Sequence, residues 1–176
     1  MMKTIRKFPH PIKVMEKGVW IPMKRGDRLA ARIWIPKDAG PDNPVPALLE
    51  YIPYRKRDMT RGGDEPKHSY FAGHGYASVR VDLAGAGDSF GVMRDEYARQ
   101  ELSDGKEIIA WLARQSWCNG KVGMFGISWG GFNSLQVAAL RPPALKAIVT
   151  SCSTDDRYAN NIHNTGEKLN KKKKHK

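Results

Sequence analysis

"VGMFGISWGGF", residues 122–132, decides how the rest of the chain is read. An apolar run leads straight into Gly126-Ile127-Ser128-Trp129-Gly130, and a helix-compatible stretch follows at once. G-x-S-x-G between a strand and a helix is the pattern of a nucleophile elbow, a tight turn that exposes a serine hydroxyl. The glycines have a physical reason. A serine on such a turn takes a strained backbone conformation, with backbone packed against it. At the start of a helix, backbone N–H groups also point toward a developing oxyanion. The alternative is that Ser128 does no more than cap the helix.

The flanking segments alternate as a parallel sheet requires. "KVGMFGIS" (121–128) reads as a strand, "WGGFNSLQVAALR" as a helix stopped by Pro142 and Pro143, and "LKAIVTSCS" (145–153) as the next strand. Upstream, "YASVRVDLAG" (76–85) is a strand. Residues 98–116 form an amphipathic helix carrying Leu102, Ile108, Ile109 and Leu112, weakened by Gly105. Strand, helix, strand, helix, strand is the order of crossover units, and the fold class is α/β.

Nearer the N-terminus, "ALLEYIPY" (47–54) has the composition of a buried central strand ended by Pro53. "VWIPMKRGDRLAARIWIP" (19–36) alternates with period two, as two strands joined by a turn at 24–27 that add an antiparallel edge. "RKRDMTRGGDEPKHS" (55–69) reads as a long charged loop, and "YFAGHG" as the end of a short helix closed by Gly75.

The 176 residues suffice for one domain with a core, and 40% hydrophobic content argues against disorder. No apolar run approaches the roughly 18 residues that span a bilayer. The basic N-terminal stretch lacks the apolar segment of a secretory signal. Cys118 and Cys152 form no spaced framework and read as reduced thiols of a cytoplasmic protein. Of the net charge of +12, a net +5 sits in "EKLNKKKKHK" (167–176). A lysine run attracts polyanions without reading sequence, so no specific nucleic-acid partner is expected. The composition breaks after about Ile162, which places a partial domain over 14–163 and a solvated, lysine-rich tail over 164–176.

Other chemistry is sparse. His10, His68, His74, His163 and His175 stand at no metal-ligand spacing, so no metal is expected. "GAGDSFG" (85–91) lacks the G-x-G-x-x-G spacing, so no nucleotide cofactor is expected either. Tyr54 follows the central strand, at the end where ligands collect in α/β sheets. Its hydroxyl suits an oxyanion donor, and its position equally suits an ordinary aromatic at a strand end.

"VWIPMKRGDRLAARIWIP", "EYIPYRKRD", "FAGHGYASVRVDLAGAGDS", "WLARQSWCNGKVGMFGISWGGF" and "STDDRYANNIH" together resemble the CocE/NonD group of serine hydrolases, which includes X-Pro dipeptidyl peptidases and α-amino-acid ester hydrolases. The resemblance covers roughly residues 14–163. It implies an α/β-hydrolase fold and ester or amide substrates carrying acyl or aminoacyl groups. It implies Ser128 as nucleophile, with Tyr54 and the backbone N–H of Trp129 as oxyanion donors. Ala84 and Ala86 depart from the Arg and the Ser or Thr common in the group, and Trp129 stands where Tyr is frequent.

Members of the group continue into a helical cap, a catalytic Asp and His, and a β-rich domain. The expectation is therefore a fold truncated after the strand that follows the elbow, with base and acid lying beyond it. Within the chain, Asp156 and His163 have no strand or helix between them to carry the ring back over Ser128. The expected consequences are impaired activity and self-association through an open sheet edge. The competing reading is a non-catalytic fragment whose basic tail binds anionic partners in a salt-sensitive way.

Overall fold

The computed structural model describes residues 8–15 and 18–156. Its strands are β1 (Ile12–Met15), β2 (Trp20–Pro22), β3 (Arg28–Pro36), β4 (Val45–Ile52), β5 (Ala77–Asp82), β6 (Cys118–Ile127) and β7 (Leu145–Ser151). Three helices, α1 (Arg61–Gly73), α2 (Arg99–Ala113) and α3 (Trp129–Ala139), connect them. The sheet order is β1-β3-β5-β4-β6-β7, with β2 paired to β3. β5, β4, β6 and β7 run parallel, and β1, β2 and β5 each pair antiparallel with β3. The expected parallel core with an antiparallel edge is the architecture observed, and β4 lies at its centre as its apolar run required. β2 to β7, α2 and α3 lie in the mixed α/β arrangement expected of the fold class, and β1, which no sequence pattern marked, adds an outer antiparallel strand on β3.

Register gives the sheet two unlike faces. Leu49 of β4 lies between Val79 of β5 and Met124 of β6. This face meets Ile108, Ile109 and Leu112 of α2 and Val137 of α3, all essentially inaccessible. Each such buried aliphatic side chain contributes on the order of 2 kcal/mol. One residue along, the side chains point the other way. Glu50 pairs with Arg80, Leu48 with Ser78, and Trp34 of β3 also with Ser78. That face carries charge, and α1 covers it.

α1 is the main departure from expectation. Residues 61–69 are helical rather than loop, and the helix runs 13 residues. Its buried residues are Asp64, His68, Ala72 and Gly73. The inward stripe is therefore polar, and no apolar periodicity marks it. Gly62, Gly63 and Pro66 lower the helix propensity further. Tertiary ion pairing fixes a helix that local propensity does not favour. α2 shows the reverse case. Gly105 weakens the helix, but a Cβ there would stand 2.8 Å from Cγ2 of Val137, so the glycine lets α2 close on α3.

Beyond β7 no further strand pairs among the described residues. Val149 (70% exposed) and Ile127 (64%) stand open on this side of the sheet.

Candidate functional site

Ser128 joins the C-terminal end of β6 to α3 with φ 54° and ψ −111°. A non-glycine residue in this region is strained and persists only where its surroundings enforce it. They do. Its N–H donates to Ser151 O at 2.8 Å, and Phe132 N–H donates back to Ser128 O at 2.9 Å, opening the helix. The glycines are steric necessities. A Cβ on Gly126 would stand 2.4–2.7 Å from the backbone of Gly130, and one on Gly130 would stand 2.8 Å from Cγ2 of Ile52. One on Gly131 would meet Oγ of Ser153 at 2.5 Å. Ser128 occupies the N-cap position but makes no side-chain capping bond, so capping does not account for it. Its hydroxyl lies in an exposed residue at the C-terminal edge of the parallel strands.

Trp129 and Tyr54 meet beside it. Their rings lie edge to face with centroids 6.4 Å apart. Tyr54 is half-buried just past the end of β4. Burial, reinforced by Glu96, pushes its hydroxyl pKa up, so it stays protonated and able to donate at neutral pH. On its other side the Trp129 ring packs on Tyr97 at 5.2 Å. The Trp129 indole N–H donates to Oε1 of Glu101 at 2.7 Å. Glu101 is 6% exposed and also bounds a cavity of about 220 Å³ with Tyr51, Leu83, Met93, Ala98 and Asp104. Sequence reasoning missed Glu101. Its one local signal is its place as the third residue of α2, where a Glu commonly reaches back to the N–H groups before the helix.

The "GAGDSFG" loop serves packing. A Cβ on Gly87 would collide with the Asp82 carboxylate at 2.2 Å, and one on Gly85 with Met93 N at 2.3 Å. Asp82 accepts from the backbone N–H of Lys56 at 2.9 Å, and the Lys56 ammonium lies 2.5 Å from Asp88. The loop is thereby tied down over the end of β5.

Under α1 lies a buried ionic layer. His68 is fully buried and stacked on Trp34 at 4.4 Å. Its Nε2 is 3.1 Å from Glu50, and its Nδ1 is 2.7 Å from Oγ of Ser78. An ionised Glu50 can only accept, so Nε2 carries the proton and the Ser78 hydroxyl donates to Nδ1. Burial works to raise the Glu50 carboxyl, but the bond from His68 and the Lys67 ammonium outweigh it and hold the pKa at about 2. Burial lowers the His68 pKa and keeps the ring neutral. Lys67 lies 2.7 Å from Glu50 and 3.3 Å from Asp64, and Arg80 lies 3.3 Å from Asp64. Glu50, Asp64 and His68 converge closely enough to suggest a metal cradle. Lys67 and Arg80 already balance that charge, so a divalent ion would have to displace them.

The histidines are therefore placed as follows. His68 is closed off with both nitrogens engaged. His74 caps α1 just before β5, and His10 N–H bonds Gly73 O beside it. Both lie at the N-terminal ends of the parallel strands, opposite Ser128. His163 and His175 lie outside the described residues, as does the lysine tail, while Asp155 and Asp156 follow β7 and are exposed.

Residues 25–174 match the sequence model of the X-Pro dipeptidyl-peptidase (S15) family. The chain is 36% identical over 142 residues to the cocaine esterase of Rhodococcus sp., covering 80% of this chain and 24% of that protein. It superposes on a CocE/NonD family hydrolase from Staphylococcus aureus with TM-score 0.69 at 27% identity, covering 83% of this chain and 28% of the other. An α-amino acid ester hydrolase gives TM-score 0.67 at 27% identity over 93% of this chain and 29% of its own. The chain spans about a quarter of the length of the curated relatives it matches.

Proposed function

The chain belongs to the X-Pro dipeptidyl-peptidase (S15) family, and from that premise we propose that it carries the nucleophile and oxyanion site of a serine hydrolase acting on acyl or aminoacyl esters or amides. Ser128 Oγ attacks the substrate carbonyl carbon and gives up its proton to a base. The oxygen becomes an oxyanion held by the Tyr54 hydroxyl and the Trp129 backbone N–H. Collapse expels the alcohol or amine, which takes the proton from the base, and leaves an ester on Ser128. Water, deprotonated by the same base, then releases the acid and restores the serine.

The base and its orienting acid are a histidine and a carboxylate from outside residues 8–156. Support comes from the described histidines: His68 is sealed, and His10 and His74 sit at the far end of the sheet. The observation that carries the reading is the forced backbone of Ser128 (φ 54°, ψ −111°), with its hydroxyl unused by the helix it begins.

A fluorophosphonate probe tests it. Mass spectrometry should find one label, on Ser128, and Ser128→Ala should abolish it. Labelling that persists in Ser128→Ala overturns the reading. The non-catalytic alternative predicts no labelling, and salt-sensitive RNA binding that disappears when residues 167–176 are removed.

A further inference from the structure

We propose that Glu101 is a positioning residue for the oxyanion site, holding the Trp129 indole and through that ring fixing both the Trp129 backbone N–H and Tyr54. This rests on the reading of Ser128 as nucleophile.

The geometry is a buried carboxylate with each oxygen committed. Oε1 accepts the Trp129 indole N–H at 2.7 Å, and Oε2 accepts the Tyr97 backbone N–H at 2.9 Å. The two donors belong to different segments: Trp129 opens α3 immediately after Ser128, and Tyr97 stands in the turn before α2. Tyr97 is itself left-handed, at φ 55°, so the bond from Glu101 helps hold a conformation that a tyrosine disfavours. Its ring then lies 5.2 Å from Trp129 and 5.4 Å from Phe132. The indole is thus pinned at its N–H by Glu101, flanked by Tyr97, and set against the Tyr54 ring. One carboxylate orders the side chains around both proposed oxyanion donors. Such donors work only when held to within about half an ångström of the productive geometry.

A carboxylate is needed because two N–H groups converge on it. Glutamine offers one acceptor oxygen and sets an NH₂ against the second donor. A protonated Glu101 likewise presents an O–H where an acceptor is required. The groups facing Glu101 are Glu96 from the preceding loop, the Tyr51 hydroxyl from β4, Asn133 from α3, and Asp104 one turn along α2, which is paired with Arg25. Burial pushes the Glu101 pKa up, while the N–H groups of Trp129 and Tyr97 and the nearby Asn133 amide pull against it. Labelling of Ser128 should therefore slow as pH falls through this raised value.

The test compares wild type, Glu101→Gln, Trp129→Phe, the double variant and Ser128→Ala. Fluorophosphonate labelling is followed against pH, and the Trp129 indole N–H resonance, assigned by its loss in Trp129→Phe, is followed by NMR. Glu101→Gln should label about tenfold more slowly, within the range expected for sub-ångström misplacement, and should retain only the acid-side fall that the base itself sets. Its indole resonance should shift and cease to titrate. Trp129→Phe keeps a ring but lacks the N–H, and should slow labelling similarly. The double variant should be no slower than the slower single variant. If Glu101→Gln does not fold, Trp129→Phe decides: a wild-type rate and pH profile there overturn the proposal. Wild-type labelling by Glu101→Gln, or effects that multiply in the double variant, overturn it too. Ser128→Ala separates the two levels. Persistent labelling there defeats the nucleophile assignment, whereas a blank there with a fast Glu101→Gln defeats only the role of Glu101.

Discussion

Ser78 and Ser128 occupy opposite circumstances in one sheet. Ser78 belongs to a complete serine–histidine–carboxylate chain, with Oγ 2.7 Å from His68 and His68 3.1 Å from Glu50. Yet Ser78 and His68 are 0% exposed, and the ring is stacked on Trp34 with Lys67 and Arg80 closing the charge. Ser128 is exposed and strained, with no described histidine at its end of the sheet. Connectivity of hydroxyl, imidazole and carboxylate is therefore not enough to mark a site. Access and enforced backbone geometry distinguish the serine proposed to react from the one that holds a helix.

The sharpest way to break this contrast is Glu50→Ala. It removes the carboxylate that buried Arg80 and His68 share in the interior and should cost about 4 kcal/mol, read as a shift in the chemical-denaturation midpoint. The folded fraction should still label at Ser128 with the wild-type rate. A slowed rate in folded protein would show that the two regions are coupled.

Gly126→Ala probes the other region. The new methyl meets Gly130 backbone, which cannot swing aside as a flexible side chain would. We expect about 3 kcal/mol of destabilisation and loss of labelling together. Wild-type labelling in this variant would mean that the elbow tolerates rearrangement.

Acid provides a graded version of the first experiment. Glu50 is held at about 2 against an ordinary 4.5, so its contribution is present above pH 4.5 and is lost as pH falls from there toward 2. The integrated loss is about 3 kcal/mol. Equilibrium denaturation across that window should show it in wild type and not in Glu50→Gln. His68, with its lowered pKa, acts in the same direction below its ordinary value of 6.5.

The smallest effect has the opposite sign. Ser128→Gly removes the side chain from a conformation that glycine adopts freely, and should stabilise by about 1 kcal/mol after the added flexibility of the unfolded chain is counted. A thermal midpoint equal to or below wild type would argue against stored strain at the elbow.

Much of this molecule is written locally. The apolar runs of β4, β5 and β6, the period-two alternation of β3 and the spacing along α2 declare themselves because each segment buries aliphatic side chains at its own repeat. The G-x-S-x-G turn is equally legible as a pattern: Gly126 answers the backbone of Gly130 four residues on, although Gly130 itself answers Ile52 from another strand. α1 and Glu101 were missed for one reason. α1 turns Asp64 and His68 inward, and a charged residue reads as solvent-facing until its partner is known. Those partners, Glu50 and Arg80, come from strands whose register only the assembled sheet sets. Glu101 meets Trp129 across 28 residues of sequence, and neither residue type announces the other. The sequence by itself determined the apolar half of the sheet and the position of the strained serine, because hydrophobic periodicity and steric demand are local. Only the tertiary structure decided which charges are buried together and which carboxylate holds the ring beside that serine, because the energy of a buried charge depends on groups the chain brings to it from elsewhere.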